Sequence, residues 1–239
     1  MQLTIDTSSQ KVGIALSLND SIIGANSWYS QENHTRELTP GIKKLLEQNE
    51  TNMNDIDCIY VARGPGSFNG LRVGMSFAKG LALALKVPLI GISTLTAEAY
   101  LHAGQESPVC PLHEAGRGEV AAALYQRVNG VWRILKEEHI TTVDCLFTET
   151  SGETVFCGEI TEKLTTELRK IFGQAIYIAP LPESICRAVL IARLGWQRMT
   201  RKDYDNIITL QPLYLRRPPI TRPRADRHFI IKTPTAEEY

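Results

Sequence analysis

The order of apolar runs, turn residues and helical stripes in the first hundred residues is written a second time, with different residues, in the next hundred. A duplicated order constrains folding strongly, because each copy must bury the same kinds of face in the same sequence. In the first copy Leu3-Thr4-Ile5-Asp6 reads as a strand, followed by the polar turn Thr7-Ser8-Ser9-Gln10. Val12 to Leu18 and Ser21 to Trp28, divided by Asn19-Asp20, complete an antiparallel meander. Leu38, Ile42, Leu45 and Leu46 fall at i, i+4, i+7 and i+8, the stripe of an amphipathic helix. Either Thr39-Pro40 caps that helix, with Pro40 at its first position, or Pro40 lies inside a helix begun near His34. Cys58 to Ala62 is a continuous apolar run, as in a strand covered on both faces. A helix from Leu71 to Lys86 and a buried strand from Pro88 to Ile92 follow.

The second copy offers strands at Val109 to Leu112, Glu119 to Arg127 and Val131 to Leu135, the last two joined by the hairpin signal Asn129-Gly130. Then come a strand at Thr154 to Cys157, a helix at Thr161 to Phe172, a strand at Ala175 to Ile178 and a helix at Glu183 to Met199. A βββαβα core thus occurs twice. That is the organisation of the duplicated actin/hexokinase-like ATPase (RNase H-like) α/β fold, in which nucleotide sits between two matching lobes. The pattern predicts one lobe over 1–102, a second over 103–215 and a basic tail over 216–239.

Twenty-six basic and 26 acidic residues balance, so no whole-protein field directs the chain to nucleic acid or membrane. No apolar stretch approaches the roughly 18 residues needed to span a bilayer. The N-terminus lacks the basic region and apolar core of a signal peptide. Five scattered cysteines, with no C-x-x-C pair, read as free thiols in a reducing cytosol, so the expected location is cytoplasmic.

Three segments could carry chemistry. Asp6-Thr7-Ser8 ends the first strand. An Asp followed by hydroxyls there either holds a hydrated cation and cradles phosphate, or satisfies the amides of its own turn. The stretch Arg63-Gly64-Pro65-Gly66-Ser67-Phe68-Asn69-Gly70-Leu71-Arg72 lies between a strand and a helix, where glycine-rich loops bring backbone close to anions. It is neither a P-loop nor the dinucleotide fingerprint, so a phosphate cradle and a tight structural turn both fit it. The helix after it carries a smooth ridge, Gly70, Gly74, Ala78 and Ala82, flanked by Val73, Phe77, Leu81 and Leu85. Such a ridge suits either a close helix partner or the protein's own sheet.

The histidines at 34, 102, 113, 139 and 228 include no i, i+3 or i+4 pair, so no helix presents a histidine pair to a metal. There is no G-x-S-x-G elbow and no cysteine-nucleophile signature. No catalytic residue and no metal ligand is therefore assigned.

Leu3-Thr4-Ile5-Asp6-Thr7-Ser8, Asn33-His34 with Leu38, and above all Arg63 through Gly74 resemble the TsaB (YeaZ) family. The likeness continues through Ala78-Lys79-Gly80-Leu81-Ala82 and Val87 to Ser93. In the second half Glu114-Ala115-Gly116-Arg117-Gly118-Glu119-Val120 and Leu213-Tyr214-Leu215-Arg216 look like weakened family motifs. Asn69 stands where the family usually has Thr, and Gly116 where it often has Arg.

The resemblance implies a subunit of the bacterial machine that installs threonylcarbamoyl on a tRNA adenosine. In that machine the paralogue TsaD carries the metal-held reacting site, with a His-x-x-x-His pair that this chain lacks. The chain is then expected to be a scaffold and not an enzyme on its own. It would pair with TsaD through first-lobe helices, admit the ATPase TsaE, and form a homodimer in isolation. No cofactor is expected for it, ATP and metal belonging to the partner subunits. The interface expected from the helices is Leu38, Ile42, Leu45, Gly70, Gly74, Phe77, Ala78 and Leu81. On that reading Gly74→Leu and Ala78→Leu would abolish pairing and spare the fold. Asp6, Thr7, Ser8, Arg63, Gly64, Gly66 and Ser67 are the candidates for a vestigial nucleotide or anion site.

Arg216, Arg217, Arg222, Arg224, Arg227 and Lys232 make the tail basic. It either touches tRNA phosphates or stays solvated, and no aromatic is interleaved for stacking before Phe229. The competing functions are an actin-like ATPase or phosphotransferase using Asp6 and the Gly64–Gly70 loop, and, last, an M22-type peptidase-like protein.

Overall fold

The computed structural model describes residues 1–31, 34–150, 153–174 and 176–216. The first half runs β1 (Gln2–Asp6), β2 (Lys11–Leu18), β3 (Ser21–Tyr29), α1 (His34–Gln48), a 3-10 turn at Met53–Asp55, β4 (Cys58–Gly64), α2 (Phe68–Leu85), β5 (Leu89–Ser93) and α3 (Thr94–Tyr100). The second runs β6 (Val109–Gly116), β7 (Glu119–Val128), β8 (Val131–Thr141), α4 (Val143–Glu149), β9 (Val155–Glu159), α5 (Glu162–Phe172), β10 (Tyr177–Pro180) and α6 (Arg187–Thr200). Each half makes a five-stranded sheet, in the orders β3-β2-β1-β4-β5 and β8-β7-β6-β9-β10. In both, an antiparallel meander is extended by two strands parallel to its first. This identity of order is the duplicated actin-like α/β fold that the sequence pattern announces.

Apolar faces explain the layers. Leu38, Ile42 and Leu45 of α1 and Met75, Ala78 and Ala82 of α2 close over Leu3, Ile5, Ile14 and Ile59 on the outer face of the first sheet. Its inner face, with Cys58, Tyr60 and Ile90, is covered by Leu190, Ile191 and Ala192 of α6. In the second sheet α4 and α5 cover one face through Val143, Leu146, Leu164 and Leu168. The other face receives Leu95 and Ala99 of α3. Each half therefore lends a helix to the other's sheet, and α3 and α6 meet between them.

The chain after α6 also returns to the first sheet. Arg198 donates to Gly91 O and bonds Asp203 and Asp205, Asp205 N donates to Leu89 O, and Leu210 enters the α1–α2 core. Among the described residues no helix is long and apolar enough to cross a membrane. All five cysteines are free.

Several boundaries differ from the pattern reading. α1 begins at His34 with Pro40 inside it. Phe68 opens α2, where Ser67 Oγ accepts from Gly70 N, and Lys86 closes it with φ 58°. α6 starts at Arg187, not Glu183, because Ile185 N donates to Pro182 O in a turn that precedes it. α3 and α4, at seven residues each, are too short to show a 3.6-residue period and were not anticipated. Asn33, Ala175 and the tail from Arg217 onward lie outside the described residues.

The expected interface needs a larger correction. Leu38, Ile42 and Leu45 are essentially inaccessible, since the α1 stripe is apolar to cover the chain's own sheet. Gly70, Gly74 and Ala78 are buried too, and their ridge faces inward. A Cβ on Gly70 would strike Thr7 O, and one on Gly74 would strike Thr7 Oγ1. The helix is smooth there because the β1–β2 turn lies against it. Phe77 and Leu81 are half-buried on the flank of the same core.

Candidate functional site

A cleft of about 1010 Å³ separates the two halves, with Ser8, Ser9, Ser67, Phe68, His113 and Glu159 among its walls. The Asp6-Thr7-Ser8 turn projects from the end of β1 at this point and is almost wholly buried. Asp6 Oδ1 accepts from Ser8 N at 2.9 Å and from Ser8 Oγ at 2.5 Å, while Asp6 Oδ2 accepts from Arg187 Nε at 2.8 Å. Thr7 Oγ1 donates to Gly70 O at 2.7 Å.

The glycine-rich stretch is closed onto this turn rather than open to an anion. Ser67 N donates to Ser8 O at 2.6 Å, and a Cβ on Gly66 would collide with the same carbonyl. The amides after it are directed to Ser67, with Gly70 N on Ser67 Oγ and Leu71 N on Ser67 O. Gly64 adopts φ +105°, a left-handed value that favours glycine. Arg63 lies elsewhere, against residues 205–214, where its carbonyl accepts from Leu213 N. Of the seven anion-site candidates, Asp6, Thr7, Ser8, Gly66 and Ser67 are brought together, and Asp6, Ser8 and Ser67 are bonded to one another, while Gly64 packs against Leu71 and Leu213. The Ser8, Ser67, Gly70 and Leu71 amides are engaged within the protein and the Asp6 carboxylate faces an arginine in place of a cation, so Asp6 does not fit as the holder of a nucleotide's metal.

Behind the cleft wall formed by Ser8, Ser9, His113 and Glu159 lies a charged cluster of residues that the sequence did not single out. Arg187, at the start of α6, bonds Asp6, Glu98 of α3 at 2.6 Å, Glu159 at the end of β9 at 2.8 Å, Ser8 Oγ at 2.8 Å and Ser9 Oγ at 3.2 Å. His113 Nε2 lies 2.7 Å from Glu98 Oε2. The available signal was a charge inside an apolar helix, Arg187 before Ala188-Val189-Leu190-Ile191 and Glu98 within Leu95-Thr96-Ala97-Glu98-Ala99. Burial disfavours a charged Arg187, but Asp6, Glu98 and Glu159 outweigh it and hold the guanidinium firmly protonated. Burial likewise raises Glu159, yet Arg187 and His113 bring its carboxyl down to about 2.

Burial would lower His113, but the Glu98 carboxylate and its hydrogen bond outweigh that and hold its pKa above the usual 6.5. A raised folded pKa stabilises below the unfolded value, and that contribution fades as pH rises through the folded value. Thermal melts of the wild type and His113→Gln should therefore differ most below about pH 6.5 and converge in alkaline buffer. A gap that widens with pH would contradict the arrangement.

A second feature is the outer face of α2. Arg72, Ser76, Gly80, Leu83 and Ala84 are exposed there, and a Cβ on Gly80 would meet nothing within 4 Å. Leu83 is 61 % exposed. Beside it Lys79 Nζ donates to Ile208 O at 3.0 Å, and Asn206 Oδ1 accepts from Ile208 N and Thr209 N. That turn holds Ile208 82 % exposed.

Residues 24–189 match the family model described as TsaD, tRNA N6-adenosine threonylcarbamoyltransferase. The tRNA threonylcarbamoyladenosine biosynthesis protein TsaB of Bacillus subtilis is 30 % identical over 217 residues, covering 90 % of this chain and 93 % of its own. The chain belongs to the TsaB family. The Escherichia coli TsaB is 34 % identical over 65 % of this chain and 70 % of its own. A transferase of Fervidobacterium nodosum is 36 % identical over 41 % of this chain and 34 % of its own, which makes the transferase a paralogue. Among solved structures, YeaZ from Pseudomonas aeruginosa superposes with a TM-score of 0.71 at 23 % identity, covering 90 % of this chain and 99 % of its own.

Proposed function

We propose that this TsaB-family chain serves tRNA threonylcarbamoyladenosine biosynthesis as a subunit without a reacting site of its own. It pairs with the transferase TsaD through the outer face of α2 and so gives TsaE a place to join. The observation that carries this reading is that face itself. Small residues at 76, 80 and 84 allow a second helix close approach, and Leu83 beside them is apolar and bare. Together with Ile208 on the neighbouring turn, Leu83 gives the face its exposed apolar contacts. The paralogous relation supports a like-shaped helix on the partner, since TsaD shares the matched region. In the absence of the partner the same face would associate with a second copy. The competing nucleotide-dependent reading loses its support where Asp6 is bonded to Arg187 and the glycine loop is closed by Ser8.

Mixing the purified chain with its cognate transferase on a size-exclusion column should give one co-eluting species. Ile208→Asp, at the edge of the surface, should weaken that pairing about tenfold, the usual scale for an interface residue of this size. Separate elution of the two wild-type proteins at micromolar concentration would sink the proposal.

A further inference from the structure

We propose that Arg187 is a resident cation behind the cleft wall, a guanidinium supplied by the chain itself that clasps the two halves together and takes the place of a bound metal ion. A guanidinium has five N–H groups, and all five are used here. Nε meets Asp6, Nη1 meets Glu98 and Glu159, and Nη2 meets Ser8 and Ser9. Those acceptors come from the β1–β2 turn of the first sheet, from α3 between the halves and from the end of β9 in the second sheet. One side chain therefore ties both sheets to α6.

The surroundings resemble an ion seat more than an ordinary surface salt bridge. Arg187 is 5 % exposed, and three carboxylates converge on it. One ligand atom each from Glu98, His113 and Glu159 lies within 4.8 Å of the others, a spacing typical of metal donors, and Arg187 Nη1 bonds both carboxylates of that group. A planar fork satisfies several oxygens at once, which a lysine ammonium on a flexible stem cannot do. The clasp makes the arrangement of the halves independent of nucleotide. Whether the chain pairs with a transferase does not bear on it.

Removing the cation would leave two buried carboxylates, Asp6 and Glu98, facing each other and the half-exposed Glu159, the costly way to break such a group. Arg187→Ala should lower Tm by about 10 °C. Methylguanidinium at tens of millimolar should recover a large part of that fall, because it fits the vacated seat, while leaving the wild-type Tm unchanged. Should Arg187→Ala fail to fold, Arg187→Lys serves in its place. It should melt between Glu159→Gln, which loses only the half-exposed carboxylate, and the unfolded extreme.

Three results would overturn the proposal: an Arg187→Ala or Arg187→Lys variant that melts with the wild type, an Arg187→Ala variant indifferent to methylguanidinium, or a wild-type Tm raised by magnesium-ATP.

Discussion

Gly74→Leu is expected to leave little folded protein. The glycine lies where α2 crosses the β1–β2 turn, and even a Cβ there would collide with Thr7 Oγ1. That hydroxyl is itself fixed by its bond to Gly70 O, so it cannot rotate away without breaking the contact that seats the helix. A leucine adds three more carbons to a space with no room for the first. Overpacking of a close-packed core costs about 1–3 kcal/mol when neighbours can shift. Here the obstruction is a turn bonded on both sides, so the cost should exceed that range. Ala78→Leu, fully buried against the same sheet, should behave similarly.

The comparison that makes this decisive is Gly80→Leu, six residues along the same helix, where the added side chain enters open space. Removing a glycine from a helix interior is mildly favourable, by roughly 0.5–1 kcal/mol for alanine, so Gly80→Leu should melt with the wild type or slightly above it. Circular-dichroism melts of the three variants check this. A normally folded Gly74→Leu would mean that α2 presents its small ridge outward, against the packing described here.

The second large effect is expected on assembly. Gly80→Arg combined with Leu83→Asp puts two charges on the outer face of α2, both at positions with ample solvent. The fold should tolerate them within about 0.5 kcal/mol, as surface substitutions usually do. Pairing should not survive. The arginine blocks close helix approach, and pairing would have to strip water from both introduced charges, which costs several kcal/mol. Two such changes should weaken association at least about a hundredfold, or about 2.7 kcal/mol. Analytical ultracentrifugation of the double variant with the transferase reads this directly, and its unchanged melting curve separates lost pairing from lost folding.

The order of the strands and of the longer helices was legible in the chain because alternation and apolar runs are local signals, while the seven-residue α3 and α4 were too short to show a period. Asn129-Gly130 marks a hairpin, and Cys58 to Ala62 marks a strand covered on both faces, whatever surrounds them. The direction of a buried face was not legible. Leu38, Ile42 and Leu45 form the same stripe whether they meet their own sheet or another protein, and only the position of β1 and β2 decides it. The same holds for the ridge of Gly70, Gly74 and Ala78, since Thr7 is 63 residues from Gly70 in the chain yet touches it. The charged clasp was hidden more deeply. Arg187 is separated from Asp6 by 181 residues and from Glu98 by 89, so no spacing rule could have joined them.

The proposed role requires that the chain be needed for the reaction through that helix face. The direct measurement is threonylcarbamoyladenosine formed on tRNA by the cognate transferase and its ATPase partner, supplied with the threonylcarbamoyl-adenylate donor. Three mixtures are compared: with the wild-type chain, without it, and with the Gly80→Arg, Leu83→Asp variant. The predicted result is turnover with the wild type alone among the three, and none from the chain by itself. Equal turnover in all three mixtures would contradict the account.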